Sequence, residues 1–206
     1  MPDVNSKREA RRKTLREEHA QITRQRIAAA ARKLFARDGY AATKLAEIAV
    51  EAGVAVQTVY AVYGSKAGIL DTLREGVMTR PEAQAFYREA MAADSAAQRI
   101  ELFARSIRWR WEHSADVTAI FRDAGTADAG IRAGLTATLE QRRRGIRALA
   151  ERLQGDLRPG IDVGVAAAIL DALSLVEVYT ELVEVQGWTP ETYESWLTAA
   201  LARELL

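Results

Sequence analysis

The side chains able to do chemistry are unevenly placed. Cysteine is absent and only His19 and His113 carry imidazole, so thiolate zinc sites, disulfides and paired-His metal sites lack their parts. Neither a helix-borne Glu-x-x-His motif nor a phosphate-cradling glycine loop occurs, which leaves enzyme chemistry as the weakest class. Gln57, Thr58, Tyr60, Tyr63 and Lys66, by contrast, gather amide, hydroxyl and ammonium donors into one short stretch. Such groups meet phosphate oxygens and base edges.

The charge distribution points the same way. The chain of 206 residues has a net charge of +1, yet residues 1–66 carry 13 Lys and Arg against 7 Asp and Glu. All five lysines, at 7, 13, 33, 44 and 66, lie in that basic third, and the remainder is net acidic. Neutralising phosphates releases counterions and drives nucleic-acid affinity, so the front third is the part that would meet a polyanion. The other reading of the same asymmetry is a charged tail without a partner.

The elements that position these residues are helices. Apolar positions recur three and four apart almost throughout, and no sustained period-2 run is present, which predicts an all-α chain. Residues 1–20 read as a basic, flexible arm holding Lys7, Arg8, Arg11, Arg12, Lys13 and Arg16. Ile27, Ala31, Leu34 and Phe35 give one buried face to a helix over 22–37, stopped by Asp38-Gly39. Thr43 is the expected N-cap of a short helix ending at Gly53, a second short helix runs from Val56 to Tyr63, and Ser65 caps the next. Helix, turn at Gly53, helix is the helix-turn-helix pattern, expected at about 44–63 within a head spanning 21–80.

Residues 81–206 read as a second, wholly helical body. Ser95 and Gln98 have capping-box spacing, a short helix is expected over Val117 to Asp123, and a longer one over Asp128 to Gln154. A helix broadly apolar on several faces is expected from Asp162 to Gln186, and a last one after the Thr189-Pro190 start. Phe103, Ile107, Trp111, Phe121 and Tyr179 could line a pocket for a largely apolar small molecule, or fill the core. The run Arg142-Arg143-Arg144 reads as a solvated face, with an acidic ligand as the minority reading. The first residues lack an apolar core of the signal-peptide kind, and acidic residues interrupt the stretch near Val163–Val185. The expectation is therefore a cytoplasmic protein without a membrane partner.

From Arg26 to Leu70 the chain resembles the TetR family of transcriptional regulators. The resemblance rests on Ile27, Ala30-Ala31, Leu34-Phe35, Gly39-Tyr40, Thr43, Ile48-Ala49, Ala52-Gly53-Val54, Thr58-Val59-Tyr60, Tyr63, Ser65-Lys66 and Leu70. It implies a three-helix DNA-binding head, a ligand-responsive and dimerising body, and repression of a palindromic operator in double-stranded DNA, relieved by a small-molecule effector. No cofactor is implied. Family positions put Thr43, Tyr60 and Lys66 on phosphate and Gln57 and Thr58 on bases, with Tyr63 and Lys44 as further donors. Departures from the pattern are Ala55 in place of a capping Ser, Val56 in place of a polar residue and Val62 in place of a His. Val56 and Val62 either touch thymine methyls or pack. The homodimer that the resemblance implies would use the last two long helices, through Leu170, Leu173, Val178, Leu182, Trp196, Leu197 and Leu201. A dimerisation scaffold without a ligand is the alternative.

Overall fold

The computed structural model describes residues 4–78 and 81–206. Among the described residues every regular element is helical: α1 (Val4–Asp38), α2 (Leu45–Ala52), α3 (Val56–Tyr63), α4 (Lys66–Met78), α5 (Pro81–Ala92), α6 (Ala96–Ala127), α7 (Ala129–Leu153), α8 (Val163–Leu173), α9 (Val176–Tyr179) and α10 (Pro190–Leu205). A 3-10 turn, Gln154–Asp156, follows α7, and a π-helical stretch, Thr180–Val185, continues α9. No single described helix is long and apolar enough to cross a membrane. The chain divides into two compact units between Arg74 and Glu75. The boundary expected at 80/81 adjoins residues outside the described ones.

In the first unit, α1 begins at Val4, where the sequence suggested an arm. The segment has no apolar stripe to announce a helix, but it contains neither Gly nor Pro and is rich in Ala, Arg, Lys and Glu, which have high helix propensity. The basic side chains at 7, 8, 11, 12 and 13 lie outside the described residues. Farther along α1, Ile27, Ala31, Leu34 and Phe35 are buried as the periodicity predicts, joined by Ile48, Ala49 and Ala52 of α2 and Val59 of α3. These side chains make the small core that fixes α2 and α3.

The second unit is built around α6 and α7, which pack on each other while α6 also meets α5 and α10 and α7 meets α8. Its core includes Ile100, Phe103, Leu149, Leu153, Leu170, Leu197 and Leu201. Side-chain caps set the starts: Ser95 accepts the Gln98 N–H at 3.2 Å, Asp128 the Gly130 and Ile131 N–H groups, Asp162 the Val165 N–H at 2.8 Å and Thr189 the Thr192 N–H at 3.1 Å. The separate helix expected at 117–123 is absorbed into α6. Ala124 and Gly125 are buried rather than in a turn, and even a Cβ at Gly125 would meet the Arg132 backbone of α7 only at ordinary contact distance. The stop falls later, at Asp128, whose carboxylate caps α7.

The helix expected over 162–186 is likewise interrupted, at Ser174, with a 44° bend between its halves. Three side chains cause the break. The Ser174 hydroxyl donates back to the Leu170 carbonyl, Arg142 Nη2 donates to the Ser174 carbonyl at 3.0 Å, and Trp111 Nε1 donates to that same carbonyl at 3.0 Å. With the carbonyl held from outside, the i to i+4 ladder has no reason to continue.

Candidate nucleic-acid interface

The geometry of the front unit follows from one turn. Gly53 lies in the left-handed region at φ 63°, which L residues with a Cβ resist. Its N–H reaches the Val50 carbonyl and the Val54 N–H reaches the Ala49 carbonyl, each at 3.0 Å. This closes α2 as a glycine-ended helix usually closes. The chain then reverses and α3 leaves at 106° to α2, within the range of a helix-turn-helix. Helix α1 braces the reversal: Arg26 Nη2 donates to the Ala52 carbonyl at 2.6 Å, and Lys33 pairs with Glu51 at 2.7 Å.

On α3 the exposed positions are Gln57, Tyr60 and Ala61, spaced to share one face, while Val59 is buried on the opposite side. Tyr60 is 54% exposed. Val56 and Thr58 are half-buried at the helix start, and Val62 is half-buried farther on. Ala55 begins the helix without a side-chain cap, so its first N–H groups are left for other acceptors. Lys44, on the loop into α2, is exposed, and its ammonium makes no hydrogen bond or ion pair among the described residues.

Three donors suggested by the sequence have internal partners. Thr43 is 2% exposed and its hydroxyl donates to the Gly39 carbonyl at 2.8 Å. It does not cap α2; Lys44 stands at that position, where the Glu47 carboxylate accepts the Lys44 N–H at 2.8 Å. The cause is the loop after α1, whose Gly39 carbonyl lies outside the helical ladder and takes the nearest hydroxyl. Tyr63 donates its hydroxyl to the Arg24 carbonyl at 2.8 Å, and burial raises its pKa. Lys66 donates to the Tyr40 carbonyl at 2.7 Å and the Ala41 carbonyl at 3.2 Å, with its ammonium 4.6 Å from the Tyr40 ring centroid. An ammonium has three donors, so one remains. Arg26, which fixes the turn, carries no signal in the sequence, because its partner is a backbone carbonyl of a residue far along the chain.

In the second unit Phe103, Ile107, Trp111, Phe121 and Tyr179 are all buried, from 3 to 7% exposed. A cavity of about 620 Å³ lies elsewhere, lined by Arg147, Gln154, Leu157, Ile161, Asp162, Val163 and Gly164. Of the seven residues expected to face a second copy, Leu170, Leu197 and Leu201 are fully buried inside their own chain, so they cannot also meet a partner. Helical period alone does not tell which neighbour an apolar face meets. Leu173, Val178, Leu182 and Trp196 are half-buried. The exposed face of α8 is instead formed by Val165, Ala168 and Ala172.

Residues 27–73 match the family model described as bacterial regulatory proteins, tetR family. A sequence comparison with curated proteins finds no match. Among solved structures, NalD of Pseudomonas aeruginosa, the secondary repressor of the MexAB-OprM multidrug efflux pump, has a TM-score of 0.70 at 23% identity over 92% of this chain and 98% of its own. The SmeT–triclosan complex gives 0.70 at 21% identity over 89% and 91%. FadR from Bacillus subtilis in complex with stearoyl-CoA gives 0.68 at 17% over 88% and 99%. At these identities the likeness is one of fold.

Proposed function

From the match of residues 27–73 to the tetR family of bacterial regulatory proteins, we propose that this chain is a cytoplasmic transcriptional regulator, not an enzyme. It binds double-stranded operator DNA as a homodimer and is released by a small-molecule effector. The observation that carries the reading is α3 itself: an eight-residue helix set at 106° by the Gly53 turn, with Gln57 and Tyr60 on its open face. Gln57 can pair with adenine N6 and N7 in the major groove. Tyr60 and Lys44 supply phosphate contacts, with Val56 and Thr58 beside Gln57 at the helix start. Tyr63, Lys66 and Thr43 hold the head together, and Lys66 keeps one donor for the backbone.

Dimerisation is assigned to α8 and α10, through the exposed Val165, Ala168 and Ala172 of α8 and Ala199 of α10, with the half-buried Leu173, Val178, Leu182 and Trp196 at its margin. Small side chains let two helices approach closely. Support for an effector comes from the relatives: SmeT is seen with triclosan and FadR with stearoyl-CoA. NalD is named a repressor, and repression is the mode proposed here. Selection of bound duplexes from a random pool tests the proposal. An inverted repeat should be recovered, because a two-fold dimer reads two half-sites; recovery of unrepeated sites, or of none, contradicts it.

A further inference from the structure

The composition of α3 limits what a duplex can offer it. Its eight residues, Val56–Tyr63, include no Lys, Arg, Asp or Glu. The exposed positions 57, 60 and 61 share one face, and Gly64 ends that face without a side chain. The face therefore presents the amide of Gln57, the phenol of Tyr60 and the methyl group of Ala61. Cations of the same unit are engaged elsewhere: Arg26 at the Ala52 carbonyl, Lys33 with Glu51, Arg37 with Asp38, Lys66 at the Tyr40 and Ala41 carbonyls, and Arg24 over the Tyr63 ring at 5.4 Å. Lys44 stands on the loop before α2.

Base edges in the major groove ask for different partners. Guanine presents two acceptors, N7 and O6, which Arg or Lys answers; cytosine presents an amino donor, which a carboxylate answers. Adenine sets an acceptor beside a donor and suits a Gln amide, whereas thymine projects a 5-methyl group that suits an apolar side chain. A G·C pair opposite Ala61 would be stripped of water with nothing to bond, and a hydrogen bond left unmade in this way is costly. A thymine methyl at the same place buries apolar surface instead. From residue 57 to residue 61 an α-helix rises about 6 Å, close to two base-pair steps of about 3.4 Å each.

We infer that α3 reads a half-site core of A·T pairs, with Gln57 on an adenine and Ala61 against the 5-methyl group of a thymine about two base pairs away. Ala61 is thereby a specificity determinant, although its side chain has no hydrogen-bonding group. The inference rests on the reading of α3 as the helix that enters the groove, and it names the sequence class of the operator.

Titration of the full-length protein with duplexes selected from a random pool tests it. The recovered half-site is remade with deoxyuridine in place of each thymidine in turn, which removes the 5-methyl group alone. At one position of the half-site this change should weaken binding about fourfold, the worth of one buried carbon group, and Ala61→Gly should bind the thymine and uracil duplexes equally. The ratio is taken within each protein, so any loss of helix stability in the glycine variant cancels. Gln57→Ala should relax base preference at an A·T pair about two positions from that thymine. A G·C pair at the position relaxed by Gln57→Ala overturns the inference, as does indifference to uracil at every thymine, or an Ala61→Gly protein that still prefers thymine. An inverted repeat with a G·C core loses the inference and keeps the regulator. Unrepeated sites that show the methyl effect keep the inference and lose the two-fold reading; binding to no duplex overturns both.

Discussion

Replacing Gly53 with Ala perturbs the turn on which the orientation of α3 depends, and the structure allows its cost to be worked out. At φ 63° the new side chain occupies the left-handed region, at about 1 to 2 kcal/mol. A Cβ there would stand 2.7 Å from Arg26 Nη2, the atom that donates to the Ala52 carbonyl at 2.6 Å. The end of an arginine can move aside, but only by giving up that hydrogen bond, worth about 0.5 to 1.5 kcal/mol. Gly53→Ala should therefore destabilise the protein by about 2 to 3 kcal/mol, read from the denaturant midpoint at unchanged slope. Arg26→Ala alone should cost about 1 kcal/mol. Because both changes remove the same bond, the double variant should fall short of additivity by about that bond's worth. A loss below about 0.5 kcal/mol for Gly53→Ala, or full additivity of the pair, would refute the reasoning.

Gln57→Ala should relax base preference by about 1 to 3 kcal/mol at one position of each half-site while leaving nonspecific affinity nearly unchanged, which selection followed by titration of single-base variants will measure. Lys66→Met should lower stability by about 1 to 2 kcal/mol through the lost bonds to the Tyr40 and Ala41 carbonyls and the lost ring contact; an unchanged denaturant midpoint would count against the lock. The same variant should reduce the slope of log affinity against log salt by about 1 if the third donor reaches phosphate. Asp162→Ala removes the cap on the Val165 N–H and should cost about 1 kcal/mol in thermal or chemical unfolding. Ala172→Arg on the exposed face of α8 should give a monomer by light scattering and weaken binding to a two-half-site duplex far more than to a single half-site.

Where period and punctuation govern the outcome, the sequence is legible. Gly53, the buried face of Ile27 to Phe35 and the starts at Ser95, Asp128, Asp162 and Thr189 follow from local rules, and each has the expected partner or conformation. Tertiary donors are not legible in this way. Arg26, Arg142 and Trp111 act on backbone carbonyls 26 to 63 residues away, and nothing in their neighbourhoods marks them. The interruption at Ser174 has largely the same origin: the segment is apolar, and beside the local back-bond of the Ser174 hydroxyl the side chains that stop it belong to α6 and α7. Thr43, Tyr63 and Lys66 are polar residues of the kind that bind phosphate, yet carbonyls of the loop after α1 and of Arg24 claim their donors first. Leu170, Leu197 and Leu201 illustrate the converse, because an apolar stripe fits its own core and a partner equally well until the packing is known.

The claim on which the account turns is that α3 enters a duplex groove as one of a symmetric pair. Anisotropy titration of a duplex bearing the selected inverted repeat, against a scrambled duplex of equal length, measures this across a range of salt concentrations. The account predicts two protomers per duplex, affinity that falls steeply with salt for both duplexes, and a specific advantage on the order of 10³ or more for the repeat. Binding that is equal for the two duplexes, or absent from both in dilute salt, would contradict it.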